Sequence, residues 1–400
     1  MKYPLGFNTW TEQEKKSAKK VIDSGFYTMG KKVKEFEDKF ARKFKAKYAT
    51  MVNSGSSANL LMFSVLKNYK KILKKKNISK PNIIAPTVGW STSYYPICQN
   101  NFEINFVDVE LNTLNIDPLK VEKAIDKNTV AILAINLLGN PCNFLKLKDI
   151  AKRYNLILIE DNCESLGAKY QNKFCGTHGI MGTHSLFFSH HMQTMEGGVI
   201  LTNKKEIKDY LKSLRAHGWT RDLDKNNKLY KFKNNNFIDK FKFITPGYCV
   251  RPLEITAAAG LVQLNKLDNF IKIRIKNSKI FKKIFEKKEW CQIQVEEKFA
   301  KSSWYGFNIV LKGSLKGKRE QIIKILIKNK VEVRPTMTGN FTNNPVIKYL
   351  PHLKKYKLTN SEYIDKNGFF IGNYPKDLSR ELSRVCELIE VEVKRKFKKN

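Results

Sequence analysis

The amino-acid sequence predicts an α/β protein with a mostly parallel central sheet flanked by helices, followed by a smaller C-terminal α+β domain. Between about residues 50 and 205, short apolar runs alternate with amphipathic helical stretches, as in parallel sheets covered by helices. Most of these runs end at polar residues, Gly or Pro. From about residue 255 a long helical pattern begins, and mixed α/β segments follow it.

Six apolar runs are the predicted strands of the large sheet. They cover residues 49–53, 82–85, 104–109, 130–136, 156–159 and 198–202. Helices are predicted at 60–66, at 119–125 after the cap Asp117-Pro118, and from about 255 onwards. Because the carboxyl ends of parallel strands line the ligand crevice in open α/β sheets, the polar residues after these runs are candidate site residues.

The chain is long enough for two buried cores, with 400 residues of which 42% are hydrophobic. We expect a large domain over 1–255, which includes the N-terminal segment and carries the candidate site. A smaller domain over 256–400 begins with the long helix. Residues 222–245 are rich in Lys and Asn, which predicts an exposed excursion, and long loops of this kind are often functional.

The formal net charge of +37 comes from 74 Lys+Arg against 37 Asp+Glu, an excess that could attract nucleic acid, anionic membranes or a phosphorylated substrate. The lysines are spread along the chain without a nucleic-acid-binding motif, so we expect neither nucleic acid nor a membrane as a partner. No run approaches the roughly 18 apolar residues of a membrane span, and the N-terminus lacks the apolar core of a secretory signal. The seven scattered cysteines show no zinc-site pairing. We therefore expect a cytoplasmic protein without a metal site.

A polar turn over residues 53–59 leads directly into the helix predicted at 60–66. Backbone N–H groups at a helix N-terminus, with serine hydroxyl groups beside them, can bind a phosphate without a basic side chain. A Ser-rich turn is also a common helix cap. Gly55, Ser56 and Ser57 are therefore candidates for a phosphate site or for a structural cap.

Carboxylates follow the strand predicted at 156–159. Asp161 has two interpretations: it caps the next helix, or it holds the protonated nitrogen of a pyridine ring, as an Asp does in pyridoxal phosphate enzymes. Trp90, just beyond the strand that ends near Pro86, could stack on such a ring or pack in the core or an interface.

The most informative segment covers residues 182–198 and contains His190-His191 and Glu196-Gly197-Gly198. It resembles the sugar aminotransferase (DegT/DnrJ/EryC/StrS-like) family of fold-type I pyridoxal phosphate enzymes. In that family the cofactor-binding lysine lies six residues before the Glu of a Glu-Gly-Gly triplet. Here that position is His190. Shorter matches extend the resemblance over nearly the whole chain, at 27–30, 54–56, 90–92, 136–141, 160–165, 215–221, 251–254, 303–304 and 334–335.

The histidine changes the chemistry that the resemblance implies. Only a primary amine condenses with the cofactor aldehyde to form an aldimine, whereas an imidazole can still transfer protons near neutral pH. The chain therefore resembles the branch of the family that removes the C3 hydroxyl from a nucleotide-linked 4-keto-6-deoxy sugar, with GDP-4-keto-6-deoxy-D-mannose as the expected substrate. L-Glutamate would convert pyridoxal 5'-phosphate to pyridoxamine 5'-phosphate, and ammonia would be released. The implied product is a 4-keto-3,6-dideoxy sugar for a surface polysaccharide, such as colitose in an O antigen.

Carried over by position, the resemblance assigns roles to individual residues. It implies that His190 is the base, and that Ser56, Ser57 and Ser185 hold the cofactor phosphate beside Gly55. Trp90, Asp161 and Glu164 would lie around the ring. Cys249 stands where the family has an Asn that reaches the cofactor phosphate from the partner subunit, and a thiol is a poor substitute donor.

The resemblance also implies a homodimer with shared active sites, to which residues 221–251 of the partner contribute. The substrate-binding residues that it implies are Met29, Gly30, His217, Arg221, Phe241, Arg251 and Arg334. Arg334 suits a phosphate or carboxylate because arginine presents a planar fork of donors.

Alternatives remain at the level of the sequence. The enzyme could act on another nucleotide-linked 4-keto-6-deoxy sugar, or the chain could be a catalytically silent regulatory homologue with two structural histidines. An iron–sulfur CDP-sugar dehydratase would need clustered cysteines, and the C-terminal ones are dispersed. A charge-driven nucleic-acid binder is a further alternative. The choice of His190 over His191 rests only on the spacing to Glu196.

Overall fold

The computed structural model describes residues 2–68, 78–233, 236–353 and 356–397. Its strands are β1 (Tyr48–Val52), β2 (Asn82–Pro86), β3 (Glu103–Val107), β4 (Thr129–Ile135), β5 (Ile157–Asp161), β6 (Lys169–Tyr170), β7 (Lys173–Phe174), β8 (Met181–Ser185), β9 (Gly198–Thr202), β10 (Cys291–Ile293), β11 (Ala300–Lys301), β12 (Gly306–Leu311), β13 (Val333–Pro335), β14 (His352–Leu353) and β15 (Gly368–Gly372).

The α-helices of the described residues flank these strands. They are α1 (Glu12–Asp23), α2 (Lys31–Lys43), α3 (Gly55–Asn68), α4 (Ser91–Gln99), α5 (Pro118–Ala124), α6 (Phe144–Arg153), α7 (Lys205–Arg215), α8 (Asn236–Lys240), α9 (Glu254–Phe285), α10 (Arg319–Lys328), α11 (Thr359–Asn367) and α12 (Ser379–Phe397). None of the described helices is both long and apolar enough to cross a membrane.

The large sheet has the strand order β1-β9-β8-β5-β4-β2-β3-β14. Only β9 runs against its neighbours among these strands, so the sheet is mostly parallel, as predicted. Each of β2, β4, β5, β8 and β9 is buried along its whole length, because helices cover both faces. The carboxyl ends of the parallel strands therefore meet at one edge.

All six predicted strands are present to within two residues at each end. Two features differ from the prediction. β8 was missed because its sequence, Met-Gly-Thr-His-Ser, is polar although the strand is buried. β5 extends to Asp161, so Glu160 and Asp161 are the last residues of the strand rather than the first residues after it.

The excursion predicted at 222–245 is only partly irregular. It contains the short helix α8, and the buried carboxylate of Asp239 organises it by accepting hydrogen bonds from Tyr230 Oη at 2.8 Å and Lys233 N at 2.6 Å. Several aromatic side chains on it are exposed, including Phe237 at 77% and Phe243 at 62%. Large exposed aromatic groups that lie close together mark an interaction surface.

Helix α2 receives its N-terminal cap from a distant residue. Gly30 occupies the cap position and has no side chain, and the carboxylate of Glu254 instead accepts hydrogen bonds from the backbone N–H groups of Gly30, Lys32 and Val33, each at 2.8 Å. A carboxylate there satisfies free donors and interacts favourably with the helix dipole. Met29 and Gly30 are thereby fixed against the start of α9.

The C-terminal residues form a second, antiparallel sheet in the order β10-β12-β15-β13. Several contacts cross the boundary predicted near residue 255. Tyr3 forms a bridge with Val331 and donates a hydrogen bond from its hydroxyl to Gly372 O at 2.6 Å, and β14 joins the edge of the large sheet beside β3. The division into 1–255 and 256–400 stays a prediction.

The turn after β4 packs closely against the segment that precedes β12. Gly139 has a φ of +99°, and a Cβ atom there would lie 2.4 Å from Trp304 N and 2.8 Å from Tyr305 N. Ser303 N and Tyr305 N donate hydrogen bonds across this contact to Gly139 O and Leu138 O, both at 3.0 Å. Glycine is therefore required for the two parts of the chain to meet behind the site.

We expect Gly139→Ala to lower the free energy of unfolding by roughly 3 kcal/mol or more, because the methyl group meets backbone atoms and the φ is left-handed. Gly25→Ala is the matched control, since Gly25 has a φ of +69° and nothing within 4 Å of the added Cβ. Gly25→Ala should lower the free energy of unfolding by only about 1 kcal/mol. Urea unfolding measures both variants, and equal losses would contradict the close contact.

Candidate active site

A cavity of about 360 Å³ lies where the carboxyl edge of the large sheet meets the C-terminal sheet. Half of the predicted site residues line it, namely Gly55, Ser56, Trp90, Asp161, Glu164, Ser185, His190 and Arg334. They come from five separate segments of the large domain and from β13. The fold therefore brings together residues that the sequence separates by up to 279 positions, from Gly55 to Arg334.

The N-terminus of α3 forms one wall of the cavity. Ser54 caps the helix, since its Oγ accepts a hydrogen bond from Ser57 N at 3.1 Å, and the Ser57 hydroxyl lies 3.0 Å from the same atom. The first-turn amides of Gly55 and Ser56 have no partner within a helix. A Cβ on Gly55 would lie 2.6 Å from Ser185 Cβ, so glycine lets the helix end approach Ser185. This wall has the donors that a phosphate requires.

Asp161 lies 5% exposed at the end of β5, where its carboxylate accepts three hydrogen bonds. Asn59 Nδ2 and Ser93 Oγ donate to Oδ2 at 2.8 and 2.7 Å, and Cys163 N donates to Oδ1 at 3.0 Å. These donors fix the orientation of the carboxylate. Oδ1 retains capacity to accept from a protonated ring nitrogen.

Glu164 is a second carboxyl group in the cavity, and its protonation differs from the ordinary case. Burial raises its pKa to about 8, with the nearby Asp161 carboxylate adding to the rise, while the hydrogen bond from Leu138 N at 2.9 Å opposes it. Glu164 is therefore mostly neutral at pH 7 and can donate a hydrogen bond. Leu138 adopts a φ of +53° in the turn that aims its N–H at this carboxyl group.

The structure separates the two adjacent histidines. The His190 ring lines the cavity, lies 5.1 Å from the Tyr305 ring between centroids, and has a buried Nδ1 without a hydrogen-bond partner among the described residues. His191 is 1% exposed, and its Nε2 lies 3.0 Å from Ser303 O, to which it donates. His191 thus attaches the β8–β9 loop to the segment before β12, and His190 is left available for chemistry.

Both imidazoles are held in the neutral form. Burial, together with the smaller effect of the positive charge of Arg274, lowers the pKa of His190 to about 3. The pKa of His191 is also well below its usual range for the same reasons. A neutral imidazole is a proton acceptor, so His190 is in the protonation state that a general base requires.

The other predicted site residues lie outside this cavity. Ser57 contributes to the cap of α3, Met29 and Gly30 lie at the start of α2, and Cys249 is exposed. Arg251 Nη1 lies 2.9 Å from His217 Nε2. The Arg221 guanidinium stacks on the Trp219 ring at 4.5 Å, and Phe241 packs against the same ring at 6.3 Å.

Sequence reasoning missed several residues that line the cavity or hold its walls. Tyr305 donates or accepts a hydrogen bond with Ser189 Oγ at 3.1 Å and packs on His190, and burial raises its pKa to about 12. Asn59, which holds Asp161, is itself fixed by Thr183 Oγ1 at 2.6 Å. Asn59 belongs to the polar turn at 53–59, which the sequence did single out. No sequence signal, however, connects Tyr305 to His190, which lies 115 positions earlier.

These residues fit pyridoxal or pyridoxamine phosphate. The α3 N-terminus with Ser185 suits the phosphate, the fixed Asp161 carboxylate suits the pyridine nitrogen, and Trp90, 46% exposed at the cavity, offers an aromatic face. No lysine lines the cavity among the described residues. Within the same part of the chain, no cluster of His, Cys, Asp and Glu is arranged to hold a metal ion.

Comparison with known proteins gives concordant results. The model of the DegT/DnrJ/EryC1/StrS aminotransferase family matches residues 8–390. The chain is 45% identical, over 97% of its length and 99% of the relative, to GDP-4-keto-6-deoxy-D-mannose 3-dehydratase of Escherichia coli O55:H7.

Solved structures of GDP-4-keto-6-deoxymannose-3-dehydratase superimpose closely on this fold. One, a histidine-to-asparagine variant with bound GDP-perosamine, has a TM-score of 0.91 at 44% identity and covers 96% of this chain and 99% of its own. Another contains a trapped geminal diamine of pyridoxal phosphate and glutamate, with a TM-score of 0.92, 44% identity and the same coverage.

The raised pKa of Glu164 gives a testable pH dependence of stability. Between about pH 4.5 and 8 the unfolded chain loses this proton while the folded protein keeps it, so folding becomes less favourable as the pH rises through that window. A glutamine at this position does not titrate, so Glu164→Gln removes the fall in stability with rising pH. Its side-chain amide keeps an oxygen that can accept the hydrogen bond from Leu138 N. The gain in free energy of unfolding caused by Glu164→Gln should be larger at pH 8 than at pH 4.5 by roughly 4 kcal/mol. Urea unfolding of the cofactor-free protein measures it, and an equal effect at both pH values would contradict the assignment.

Proposed function

Because the chain belongs to the DegT/DnrJ/EryC1/StrS aminotransferase family, we propose that it is a pyridoxal/pyridoxamine phosphate-dependent dehydratase that removes the C3 hydroxyl from GDP-4-keto-6-deoxy-D-mannose. The observation that carries this function is the neutral His190 ring in a cavity that fits the cofactor and has no lysine in its described lining. L-Glutamate regenerates pyridoxamine phosphate, in keeping with the glutamate adduct trapped in a similar enzyme. The product is a 4-keto-3,6-dideoxy sugar, and ammonia is released.

The chain's own residues hold the cofactor without a covalent bond in this proposal. The amides of Gly55 and Ser56, with the Ser185 hydroxyl, hold the phosphate, while Ser57 supports the helix cap beside it. Asp161 keeps the pyridine nitrogen protonated, and Trp90 and Glu164 flank the ring. When bound, pyridoxamine phosphate supplies the amine that condenses with the C4 ketone and a ring that accepts electrons.

His190 carries the proton transfers. Its imidazole is neutral above about pH 3, so it can accept a proton at a ring nitrogen throughout the physiological range. The same nitrogen can return the proton to the departing 3-hydroxyl oxygen, so that one residue serves as base and then as acid. Water is excluded on one side by Tyr305, whose ring packs on the imidazole. The neutral Glu164 carboxyl group can donate a hydrogen bond nearby.

The active unit in this proposal is a homodimer whose two sites are shared. Arg221, Phe241, Cys249, Arg251 and His217 lie outside the cavity of their own subunit. They belong to or adjoin the excursion with exposed Phe237 and Phe243, a surface suited to contact with a second copy. Arg221 and Arg251 would reach the nucleotide phosphates in the partner's cavity, and Arg334 would meet the substrate within its own subunit. Met29 and Gly30 would complete the substrate site.

A cytoplasmic location suits this activity. All seven cysteines have free thiols, and Cys142, Cys175, Cys291 and Cys386 are buried. Free thiols persist in a reducing compartment, where disulfides are rare.

The activity is tested directly by incubating the protein with pyridoxal phosphate, L-glutamate and a panel of nucleotide-linked 4-keto-6-deoxy sugars, and by weighing the products. We expect loss of the C3 hydroxyl from the GDP sugar. His190→Asn should lower turnover by about 10²- to 10⁴-fold, because the proton acceptor is lost, while cofactor occupancy stays near that of the wild type. His191→Asn is the matched control: it should lower the melting temperature and lose far less turnover than His190→Asn, because the His191 ring contacts Ser303 O and does not line the cavity. Retained dehydration in His190→Asn would overturn the assignment of the base.

Shared sites are tested with mixed dimers of His190→Asn and Arg221→Ala subunits. Each parent should be inactive or weakly active, but in a mixed dimer one of the two sites contains an intact His190 and an intact Arg221. Random mixing should therefore restore about a quarter of the wild-type activity. Activity that stays at the level of the parents would show that each site is built from one subunit.

A further inference from the structure

Arg274 on helix α9 links the β8–β9 loop to the C-terminal sheet. Its Nη1 donates to Tyr305 O at 3.1 Å and to Asn373 O, and its Nη2 donates to His190 O at 3.4 Å. The three carbonyl groups belong to the loop that carries the base, to the residue before β12, and to the residue after β15. One guanidinium group thus joins three segments that are otherwise distant in the sequence.

The charge of Arg274 has no carboxylate partner within the described residues. The side chain is buried, at 2% exposure, and its Nε has no hydrogen-bond partner there. Burial lowers the pKa of Arg274 to about 10, so the group is still charged at neutral pH. A buried cation that is not paired costs free energy. The hydrogen bonds to three carbonyl oxygens offset part of this cost, which ties the buried charge to the segments that those oxygens belong to.

We propose that Arg274 is a positioning residue for the base: it fixes the main chain of His190 against Tyr305 and places a buried positive charge at the loop that carries the imidazole. The inference rests on the proposed function of His190. Arg274 does not line the cavity, so it acts on substrate and cofactor only through His190 and Tyr305.

Among the described residues, the other titratable groups around His190 are not buried cations like Arg274. Glu164 and Glu196 line the same cavity, and burial raises the pKa of both carboxyl groups, so they offset the positive charge less than exposed carboxylates would. Tyr305 is neutral because its pKa is about 12, and the neutral His191 is buried beside the loop. Arg334, on β13, is exposed and screened by solvent. Arg274 is the buried cation that lowers the pKa of both imidazoles.

The experiment separates the charge of Arg274 from its hydrogen bonds. Arg274→Lys keeps the charge but cannot bridge three carbonyl groups, and Arg274→Met removes both. Lys272→Met is the control, since it removes a positive charge from an exposed position on the same helix. The protonation of His190 is followed by NMR of its Cε1–H group in the cofactor-loaded protein, with the resonance assigned from His190→Asn. Turnover numbers and KM values are measured with the GDP sugar.

In Arg274→Met we expect the titration midpoint of His190 to rise by roughly one pH unit, so that the protonated fraction at about pH 4.5 grows several-fold. In Arg274→Lys and Lys272→Met the midpoint should stay at the wild-type value. Arg274→Lys should lose roughly 10-fold or more in kcat at nearly constant KM, because the base is misplaced while substrate contacts are intact. Lys272→Met should keep the wild-type kcat.

An unchanged midpoint in folded Arg274→Met, or an unchanged kcat in Arg274→Lys, would overturn the proposal. If Arg274→Met does not fold, Arg274→Lys alone decides through its kcat and KM. The titration requires no substrate, so its outcome is distinct from that of the proposed function, which fails only if the wild-type protein does not dehydrate the sugar.

Discussion

The site depends on how the loop between β8 and β9 is held. That loop leaves the carboxyl edge of the parallel sheet, returns along the antiparallel strand β9, and carries His190 over the cavity between the two ends. Arg274 and His191 fix its main chain to the segment before β12, and Gly139 allows that segment to approach the large sheet. This packing of the two sheets adds to the backbone hydrogen bonds within the loop, such as His190 N to Phe187 O at 2.9 Å, in fixing the position of the imidazole.

The second requirement is that each group in the cavity has the right protonation state. Burial lowers the pKa of an imidazole but raises the pKa of a carboxyl group. A buried imidazole loses its proton easily and becomes a base, whereas a buried carboxyl group keeps its proton and becomes a donor. His190 and Glu164 show these two outcomes in one cavity. Asp161 instead accepts hydrogen bonds from three donors, which fix the orientation of its carboxyl group in the same cavity.

Much of this arrangement could be predicted from the sequence. Strand positions followed from apolar runs, and the candidate phosphate turn and Asp161 were singled out from their places after strands. β8 was missed because burial of the polar run Gly182–Thr183–His184 depends on the helices that cover it. Tyr305 and Arg274 were missed because their importance comes from contacts with residues about 84 to 116 positions away, which periodicity does not reveal. The sequence favoured His190 over His191 only through the spacing to Glu196, and the structure adds that His190 lines the cavity whereas His191 is buried against Ser303.

The central claim is that the cofactor is held without a covalent bond, so that an imidazole replaces the usual amine. Borohydride reduction of the cofactor-loaded protein, followed by mass analysis of its peptides, tests it most directly, with a lysine-containing aminotransferase of the same family as the positive control. We predict that no peptide of this protein gains the mass of the reduced cofactor and that the cofactor is recovered free. A stable adduct on any lysine of the chain would contradict the account.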